Sequence, residues 1–247
     1  WMILVENFKL LENNLLNFLD SYLKSSGAKG FVLGLSGGLD SAVVATLCTK
    51  VAPTKALIMP TSSSNQANLN DALELSSKLN LDYQIINISD ILASFLPFSD
   101  TNDKLRVGNI AARIRMILLY DHSSLLNALV VGTTNKSEKM LGYGTIYGDM
   151  ACALNPLANI YKSDLFEFAS YLGVNHKIIA KAPSADLWQN QSDESDIGYS
   201  YAQIDKLLKA IENGEDLSKF DSDFKNKITA RITKNSFKQK LPATPNI

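Results

Sequence analysis

The order of apolar and polar segments predicts an α/β fold, a doubly wound and mostly parallel sheet with helices on both faces. Short apolar runs alternate with longer segments of helical periodicity. The short runs are mostly continuous apolar segments, which is typical of strands whose two faces are both buried. We therefore expect strands over residues 30–35, 55–60, 82–88 and 128–133.

The spacing of apolar side chains predicts helices around this sheet, beginning with an amphipathic helix over residues 3–25. Its apolar positions are Leu11, Leu15, Phe18, Leu19 and Tyr22. Helices between the strands are expected over residues 40–50, 65–80 and 101–121, the last after a turn near Leu92. A loop-rich segment over residues 142–156 precedes helices over residues 162–172, 175–181, 199–212 and 223–237. The polar segment from Trp188 to Asp196 is predicted as a mobile loop.

Composition and charge exclude several classes of protein. A formal net charge of −1 gives no general attraction to nucleic acid or to a membrane surface, so we expect neither as a partner. No segment has the pattern of a signal peptide or a transmembrane helix, and we expect a cytoplasmic location. The two cysteines and two histidines show no ligand-like pattern, so zinc, a cysteine nucleophile and a disulfide framework are not expected. Cys48 is predicted to be a small core residue.

A glycine-rich segment joins the first predicted strand to the next helix. This segment, called here the glycine loop, reads Gly34-Leu35-Ser36-Gly37-Gly38-Leu39-Asp40-Ser41. Glycine lets backbone N–H groups approach a ligand, and the helix start adds unpaired N–H groups and its positive dipole end. With two hydroxyls and a carboxylate beside them, the segment predicts a polyphosphate site with a possible metal ligand, unlike the Walker or Rossmann spacing. The alternative is a tight turn in which Asp40 only favours the helix dipole, although such a turn needs fewer glycines.

A second polar segment, residues 132–138, follows the fourth predicted strand. Ligands in such sheets bind at the carboxyl ends of strands, where the strand order reverses. If the first and fourth strands are adjacent, Asp40 and Glu138 become oxygen ligands on opposite walls of one crevice. Mg²⁺ binds one or two carboxylates together with phosphates and waters. The alternative for Glu138 is a capping box, because Asn135-x-x-Glu138 fits a carboxylate that folds back on its own helix start.

Cationic side chains mark one predicted helix. Arg106, Asn109 and Arg113 share a helix face because they are three, four and seven residues apart. Arg115 is two residues past Arg113, so the two side chains cannot point at one site. We expect Arg113 to be the ligand-binding arginine because Asn109 shares its face. The alternative is a solvated basic face.

Further motifs recur in order along the chain. They are Gly108-Asn109-x-x-x-Arg113-x-Arg115-Met116, Gly132-Thr133-x-Asn135-Lys136-Ser137-Glu138, Gly142-Tyr143-Gly144-Thr145-x-Tyr147-Gly148-Asp149, Asn155-Pro156-Leu157-x-x-x-Tyr161-Lys162, Ala182-Pro183-Ser184-Ala185-Asp186-Leu187-Trp188 and Gln191-Ser192-Asp193-Glu194. Together with the glycine loop, which alone marks only the ATP pyrophosphatase superfamily, they resemble the ammonia-dependent NAD synthetase family. The resemblance covers about residues 30–242, nearly the whole chain.

This resemblance implies a C–N bond-forming ligase. Such enzymes amidate deamido-NAD (nicotinic acid adenine dinucleotide) with ammonia and ATP through an adenylated intermediate, giving NAD, AMP and pyrophosphate in the last step of NAD biosynthesis. The family is homodimeric, with the dinucleotide site at the subunit interface. We expect one domain over residues 1–247, without a glutaminase domain: an N-terminal helix (1–29), a nucleotide-binding core (30–140), and substrate loops with C-terminal helices (141–247).

The resemblance also implies roles for individual residues. ATP is expected to bind the glycine loop, from Gly34 to Ser41, together with Thr133, Lys162 and Ser184. Asp40 and Glu138 would bind Mg²⁺, and with Lys162 they are the candidate catalytic residues. Arg113 and Lys238 would hold deamido-NAD, and we group Asn109 with them because it shares the Arg113 face. The Trp188–Asp196 segment would act as a lid that keeps water from the adenylate.

The chain departs from the family pattern at the acceptor site. Ile146, Ala153 and Phe237 stand where many members have a lysine, an aspartate and a histidine. The sequence does not identify what replaces those contacts. Two other interpretations are an ATP pyrophosphatase that amidates or thiolates a different acceptor, and a non-catalytic adenine-nucleotide sensor. Two carboxylates and Lys162 disfavour the sensor, since simple binding does not require them.

Overall fold

The computed structural model describes residues 2–100, 102–184, 191–240 and 242–245. Its strands are β1 (Gly30–Gly34), β2 (Thr54–Ile58), β3 (Asp82–Ile85) and β4 (Ala128–Val130). They form a parallel sheet in the order β3-β2-β1-β4. The helices are α1 (Met2–Ser26), α2 (Leu39–Thr49), α3 (Gln66–Lys78), α4 (Ser89–Phe95), α5 (Lys104–Leu126), α6 (Lys136–Leu141), α7 (Lys162–Tyr171), α8 (His176–Ile179), α9 (Asp193–Ile197), α10 (Tyr201–Glu212) and α11 (Ser222–Asn235). Short 3₁₀ turns follow α4 and α11 at Leu96–Phe98 and Ser236–Gln239.

The strand order reverses between β1 and β4. β1 pairs with β2 on one side and with β4 on the other, with Val32 opposite Val130. The carboxyl ends of β1 and β4 are therefore neighbours, which is the condition on which the predicted crevice depended. The predicted doubly wound, parallel α/β fold is confirmed.

Side chains on the two faces of β1 pack into different layers. Phe31 and Leu33 join a core with α1, α2 and α7, whereas Val32 packs on the other face against α5 residues such as Ala111 and Ile114. α2 is buried on nearly all sides, which explains its almost continuous apolar sequence, and Cys48 is fully buried there as predicted. The helices thus cover both faces of the sheet.

A second apolar core lies between α6, α10 and α11. Its buried residues include Leu141, Tyr201, Ile204 and Ile228. This packing holds α11 and the adjoining α9 beside the carboxyl edge of the sheet. The C-terminal third of the chain thereby contributes a wall to the crevice.

Some details of the sequence prediction were wrong. All four residues of β3 are exposed, because β3 is the edge strand and not a strand buried on both faces. Phe18 and Tyr22 of α1 are exposed and contact one another, while Leu15 and Leu19 form its buried face. The Trp188–Asp196 segment is not a loop throughout, since α9 begins at Asp193; Trp188 lies outside the described residues.

The helix α5 ends at Leu126 and so extends past its predicted end at residue 121. Asp103 caps its start by accepting the Arg106 N–H at 3.0 Å, and Asn127 ends it in a left-handed conformation. Within the described part of the chain, no helix combines the length and the apolar character needed to cross a membrane.

Candidate active site

A cleft of about 880 Å³ opens at the carboxyl ends of β1, β2 and β4. The glycine loop forms its floor, and α5, the 142–149 segment, α9 and α11 contribute walls. A cavity of this size accommodates a nucleotide together with part of a second substrate. Thr133 and Ser184, both predicted from the sequence, line this cleft.

The geometry of the glycine loop requires glycine at Gly37. Its φ is +79°, and a Cβ atom there would overlap the Asn68 carbonyl. The hydroxyls of Ser36 and Ser41 lie 3.0 Å apart, and Ser36 Oγ accepts the Gly38 N–H at 3.2 Å. The N-cap residue of α2 is Gly38, which has no side chain to cap the helix. The first-turn N–H groups of α2 therefore lie at the cleft in a position suited to phosphate.

A lysine not singled out from the sequence ties this loop to its surroundings. Lys181 donates to the Gly37 carbonyl at 3.3 Å and to Asn68 Oδ1 at 2.7 Å, and it forms an ion pair with Asp71. It therefore connects the glycine loop and α3 to the segment that carries Ser184. In the sequence it precedes the Ala182–Trp188 motif, and nothing there indicates its partners.

Lys162, Asp40 and Glu138 meet at the centre of the cleft. Lys162 is 3% exposed and forms ion pairs with Asp40 and with Glu138, whose Oε1 lies 3.5 Å from Lys162 Nζ. Asn135 Nδ2 donates to Asp40 Oδ1 at 3.0 Å. The structure thus brings together the three candidate catalytic residues, from segments far apart in the chain.

The charges of this cluster are mutually dependent. Burial raises the pKa of Glu138, and the nearby Asp40 carboxylate raises it further, whereas Lys162 lowers it. Burial lowers the pKa of Lys162, but the carboxylates of Asp40 and Glu138 outweigh that effect and the pKa is raised. The charged ammonium form of Lys162 is therefore favoured although its side chain is buried.

Glu138 takes part in two interactions at once. Its Oε2 accepts the Asn135 N–H at 3.2 Å, and its own N–H donates to Asn135 Oδ1 at 3.0 Å, which forms a capping box on α6. Its Oε1 faces Lys162. The cap and the cleft position, weighed as alternatives from the sequence, are both present.

A tyrosine and two carboxylates form the wall at α9. The Tyr143 hydroxyl lies 3.0 Å from Asp193 Oδ1 and 2.9 Å from Asp196 Oδ2, and Gln191 Nε2 donates to Asp196 Oδ2 at 2.8 Å. Burial and these carboxylates raise the pKa of Tyr143. The sequence analysis placed Asp193 and Asp196 only in a loop. It did not predict that both carboxylates bind the Tyr143 hydroxyl, because Tyr143 is about 50 residues away in the chain.

The two arginines of α5 point in different directions, as the helix geometry required. However, Arg115 lines the cleft and donates from Nε to the Met59 carbonyl at 3.0 Å, while Arg113 is exposed and donates to the Ile146 carbonyl at 3.3 Å. The expectation that Arg115 faces away from the cleft is wrong. Asn109 does line the cleft, and its Oδ1 accepts the Thr145 hydroxyl at 2.7 Å. Its position on the same helix face as Arg113 therefore did not predict which of the two arginines lines the cleft.

Cations of α11 complete the cleft. Lys227, Arg231 and Lys234 lie on its lining, at a spacing of four and three residues. The Arg231 guanidinium lies 5.2 Å from the centre of the Tyr143 ring, and its buried Nε has no hydrogen-bond partner among the described residues. Lys238 also lines the cleft and donates to the carbonyls of Gly142 and Gly144 at 2.8 and 2.9 Å. The Lys-x-x-x-Arg-x-x-Lys spacing was the available sequence signal for this wall.

The fold and the cleft define an α/β nucleotide-binding protein of the adenine nucleotide alpha hydrolase-like class. The chain belongs to the NAD synthase family, whose model matches residues 11–242. The family predicted from the motifs is thereby confirmed.

Three known proteins illustrate this membership. The NH3-dependent NAD(+) synthetase of Campylobacter jejuni strain 81-176 is 50% identical over 240 residues, which is 96% of this chain and 98% of the relative. A solved NH3-dependent NAD synthetase from Campylobacter jejuni superposes with a TM-score of 0.85 at 44% identity, covering 97% of this chain and 99% of the other. The NMN synthetase from Francisella tularensis superposes with a TM-score of 0.90 at 38% identity, with the same coverage.

Proposed function

We propose that this cleft is where the chain amidates deamido-NAD with ammonia and ATP, giving NAD, AMP and pyrophosphate. Family membership supports the overall reaction. The observation that carries the assignment to this cleft is the cluster of buried Lys162 with the partly buried Asp40 and Glu138 beside the glycine loop. A site that only binds nucleotide has no need of these three clustered charges.

Asp40 and Glu138 are the residues that would hold Mg²⁺ in this site. Both carboxylates lie within ion-pair distance of the same Lys162 ammonium group, so a single cation between them is already geometrically feasible. Among the described residues, no three His, Cys, Asp or Glu side chains form a metal-binding group. Two carboxylates fit Mg²⁺, which keeps substrate phosphates and waters as its remaining ligands. When bound, the metal supplies positive charge next to the phosphate oxygens.

The first chemical step transfers AMP to the acceptor. A nicotinate carboxylate oxygen attacks the α-phosphorus of ATP, and the bond to the β-phosphate oxygen breaks with release of pyrophosphate. The first-turn N–H groups of α2 and the Lys162 ammonium group stabilise the charge that moves onto the leaving pyrophosphate. The protein contributes chiefly by positioning the two reactants and by stabilising charge.

In the second step ammonia attacks the acyl carbon of the adenylate. The C–N bond forms, the bond to the phosphate oxygen breaks, and AMP leaves. The attacking nitrogen loses a proton, and we propose the Asp196 carboxylate, which lines the cleft, as its acceptor. Adenylation makes this step feasible because AMP is a far better leaving group than an oxide ion.

We assign the acceptor to the side of the cleft formed by α5 and α11. Asn109, Lys238 and Arg231 line that side, and the charged guanidinium of Arg231 is a donor group suited to an anionic substrate. Arg113 lies at its edge and holds the backbone of Ile146, the position that lacks the family lysine. Backbone contacts from this segment would then replace part of the missing side-chain contact.

We also propose that a second copy of the chain covers the exposed face of α5. Ile117 and Tyr120 follow Arg113 by four and seven residues, so they lie on its face, and both are exposed. Phe95 and Phe98, at the end of α4 and in the turn after it, are exposed as well. An apolar surface of this kind is typical of a subunit interface, and it would place Arg113 next to the partner.

A second candidate acceptor is nicotinate mononucleotide. The Francisella tularensis protein that superposes with a TM-score of 0.90 is named as an NMN synthetase. The mononucleotide carries the same reactive carboxylate, so the same cleft chemistry would convert it to NMN. The two acceptors differ only in the adenylate moiety that the acceptor side has to hold.

One assay separates these possibilities. The purified chain is incubated with ATP, Mg²⁺ and ammonium, with deamido-NAD, nicotinate mononucleotide or no acceptor, and pyrophosphate and amidated product are measured. We expect higher kcat/KM with deamido-NAD, and no product when glutamine replaces ammonium. A preference for the mononucleotide would favour the second candidate. Binding of ATP without pyrophosphate release for either acceptor would overturn the proposal in favour of a nucleotide sensor.

A further inference from the structure

A buried carboxylate outside the cleft connects the segments that carry its charged residues. Asp205 of α10 is 1% exposed, and its Oδ1 accepts the Ser137 hydroxyl at 2.5 Å. Its Oδ2 accepts the Ser163 N–H at 2.8 Å. Ser137 Oγ in turn accepts the Lys162 N–H at 2.9 Å. One carboxylate therefore joins α6, α7 and α10.

The joined positions are the immediate neighbours of the candidate catalytic residues. Ser137 precedes Glu138 on α6, and the two N–H groups belong to Lys162 and Ser163 in the first turn of α7. We propose that Asp205 is a positioning residue that sets Lys162 against Glu138 and Asp40. This proposal rests on the role proposed for Lys162.

The chemistry of the link is specific to a carboxylate. Its two oxygens accept from a hydroxyl and from an amide of α7, where the helix dipole stabilises negative charge. Hydrogen bonds to a charged acceptor are shorter and stronger than neutral ones, and they define direction. An apolar side chain at position 205 would fill the core but would leave the start of α7 free to rotate relative to α6.

A second contact between the same two helices provides a matched control. Lys209 of α10 and Asp164 of α7 form an ion pair of 2.9 Å at the surface, with side chains 41% and 50% exposed. This pair also connects α10 to the first turn of α7, but it does not involve Ser137. An effect of Asp205 that comes only from holding the helices together should be shared by Asp164.

The test measures pyrophosphate release by Asp205→Asn, Ser137→Ala and Asp164→Asn. An amide at position 205 loses at least one acceptor, because its nitrogen cannot accept from the Ser163 N–H or the Ser137 hydroxyl. We expect Asp205→Asn and Ser137→Ala to lower kcat about tenfold or more, which corresponds to about 1.4 kcal/mol. The KM for ATP should stay within about threefold, and Asp164→Asn should retain kcat within about twofold.

Unfolding midpoints are measured in parallel, and kcat is compared at a temperature where every variant is folded. If Asp205→Asn and Ser137→Ala only lower the unfolding midpoint and keep kcat within twofold, Asp205 is merely structural and the proposal is wrong. Should Asp205→Asn fail to fold, Ser137→Ala decides alone, since it removes one hydroxyl. Lys162→Met separates the two proposals: full turnover in that variant would refute the role of Lys162, whatever Asp205→Asn does.

Discussion

Lys162 and Asp40, 122 residues apart in the sequence, form a partly buried ion pair where α7 meets the glycine loop. Lys162, which we propose neutralises the leaving pyrophosphate, is thus paired with Asp40, which we propose binds Mg²⁺. Glu138 shares the same ammonium group. Without ligand the cluster places two carboxyl groups against one ammonium group, and binding of metal and ATP has to redistribute these contacts.

Asp40→Asn should abolish adenylation while the protein stays folded. The amide removes a metal ligand and one half of the ion pair, but Lys162 keeps Glu138 as a partner. We expect pyrophosphate release to fall about 100-fold or more, equivalent to roughly 2.7 kcal/mol. Titration of Mg²⁺ into the ATP-bound variant should show weaker metal binding. Normal turnover in Asp40→Asn would contradict the metal assignment.

Substitutions of Glu138 separate its cap from its charge. A glutamine still completes a capping box, so Glu138→Gln should unfold close to the wild-type temperature but lose most of its Mg²⁺-dependent turnover. Glu138→Ala should lose the capping interaction as well as the turnover, and the lost cap should lower the free energy of unfolding by about 1 kcal/mol. Thermal unfolding and pyrophosphate release are measured on both variants. Wild-type turnover in Glu138→Gln would mean that the cap is the only function of this side chain.

The two arginines of α5 should affect different substrates. Arg113→Ala is expected to raise the KM for deamido-NAD about tenfold, since a charge-assisted contact contributes roughly 1.5–3 kcal/mol. Arg115→Ala should instead raise the KM for ATP, because Arg115 lines the cleft near the end of β2. Kinetics with each substrate varied in turn test both variants. Weaker ATP binding in Arg113→Ala with no change in Arg115→Ala would reverse this assignment.

Gly37→Ala should damage the glycine loop more than positive φ alone explains. Gly37 and Gly173 have similar φ values, +79° and +76°, but only a Cβ at Gly37 would overlap a backbone carbonyl, that of Asn68. Gly173→Ala should therefore cost about 1 kcal/mol of stability from conformational strain. Gly37→Ala should cost more and should also raise the KM for ATP. Equal effects of the two substitutions on stability and KM would show that the close approach to Asn68 is unimportant.

Glu12 of α1 should make the free energy of unfolding depend on pH, because it binds Lys50 and Tyr171 in other parts of the fold. Burial raises its pKa, but hydrogen bonds from Lys50 (2.5 Å) and Tyr171 (3.0 Å) outweigh that effect and bring the pKa below its usual 4.5. The stabilisation by the charged form is therefore present above pH 4.5 and is lost as the pH falls through the lowered pKa. Glu12→Gln should lower the free energy of unfolding by up to about 1 kcal/mol at neutral pH.

Denaturant unfolding of wild type and Glu12→Gln over a range of pH checks this sign. The difference between them should shrink as the solution becomes acidic. Asp20→Asn is the control, because Asp20 pairs with Lys24 on the exposed side of the same helix. A difference that grows in acid would show that Glu12 is not stabilised in its charged form.

Much of the fold followed from local patterns. The apolar runs located the four strands found among the described residues, and helical spacing located most helices to within a few residues, because strand and helix periodicity are properties of neighbouring residues. The exposure of β3 did not follow, since its position at the sheet edge depends on pairing with β2. The end of α5 at Leu126 depended on Asn127, a cap that periodicity does not register.

The sequence by itself indicated the glycine loop from its residue types and the family from the motifs that recur in order, and the resemblance to that family supplied the three candidate catalytic residues. Only the tertiary structure decided that Arg115 rather than Arg113 lines the cleft, that Glu138 serves two partners, and that Asp205 joins α6 to α7. Those relationships connect residues on different elements, and the rotation of one helix against another is fixed by packing of the whole core. A motif specifies which groups are present, whereas packing specifies which of them meet.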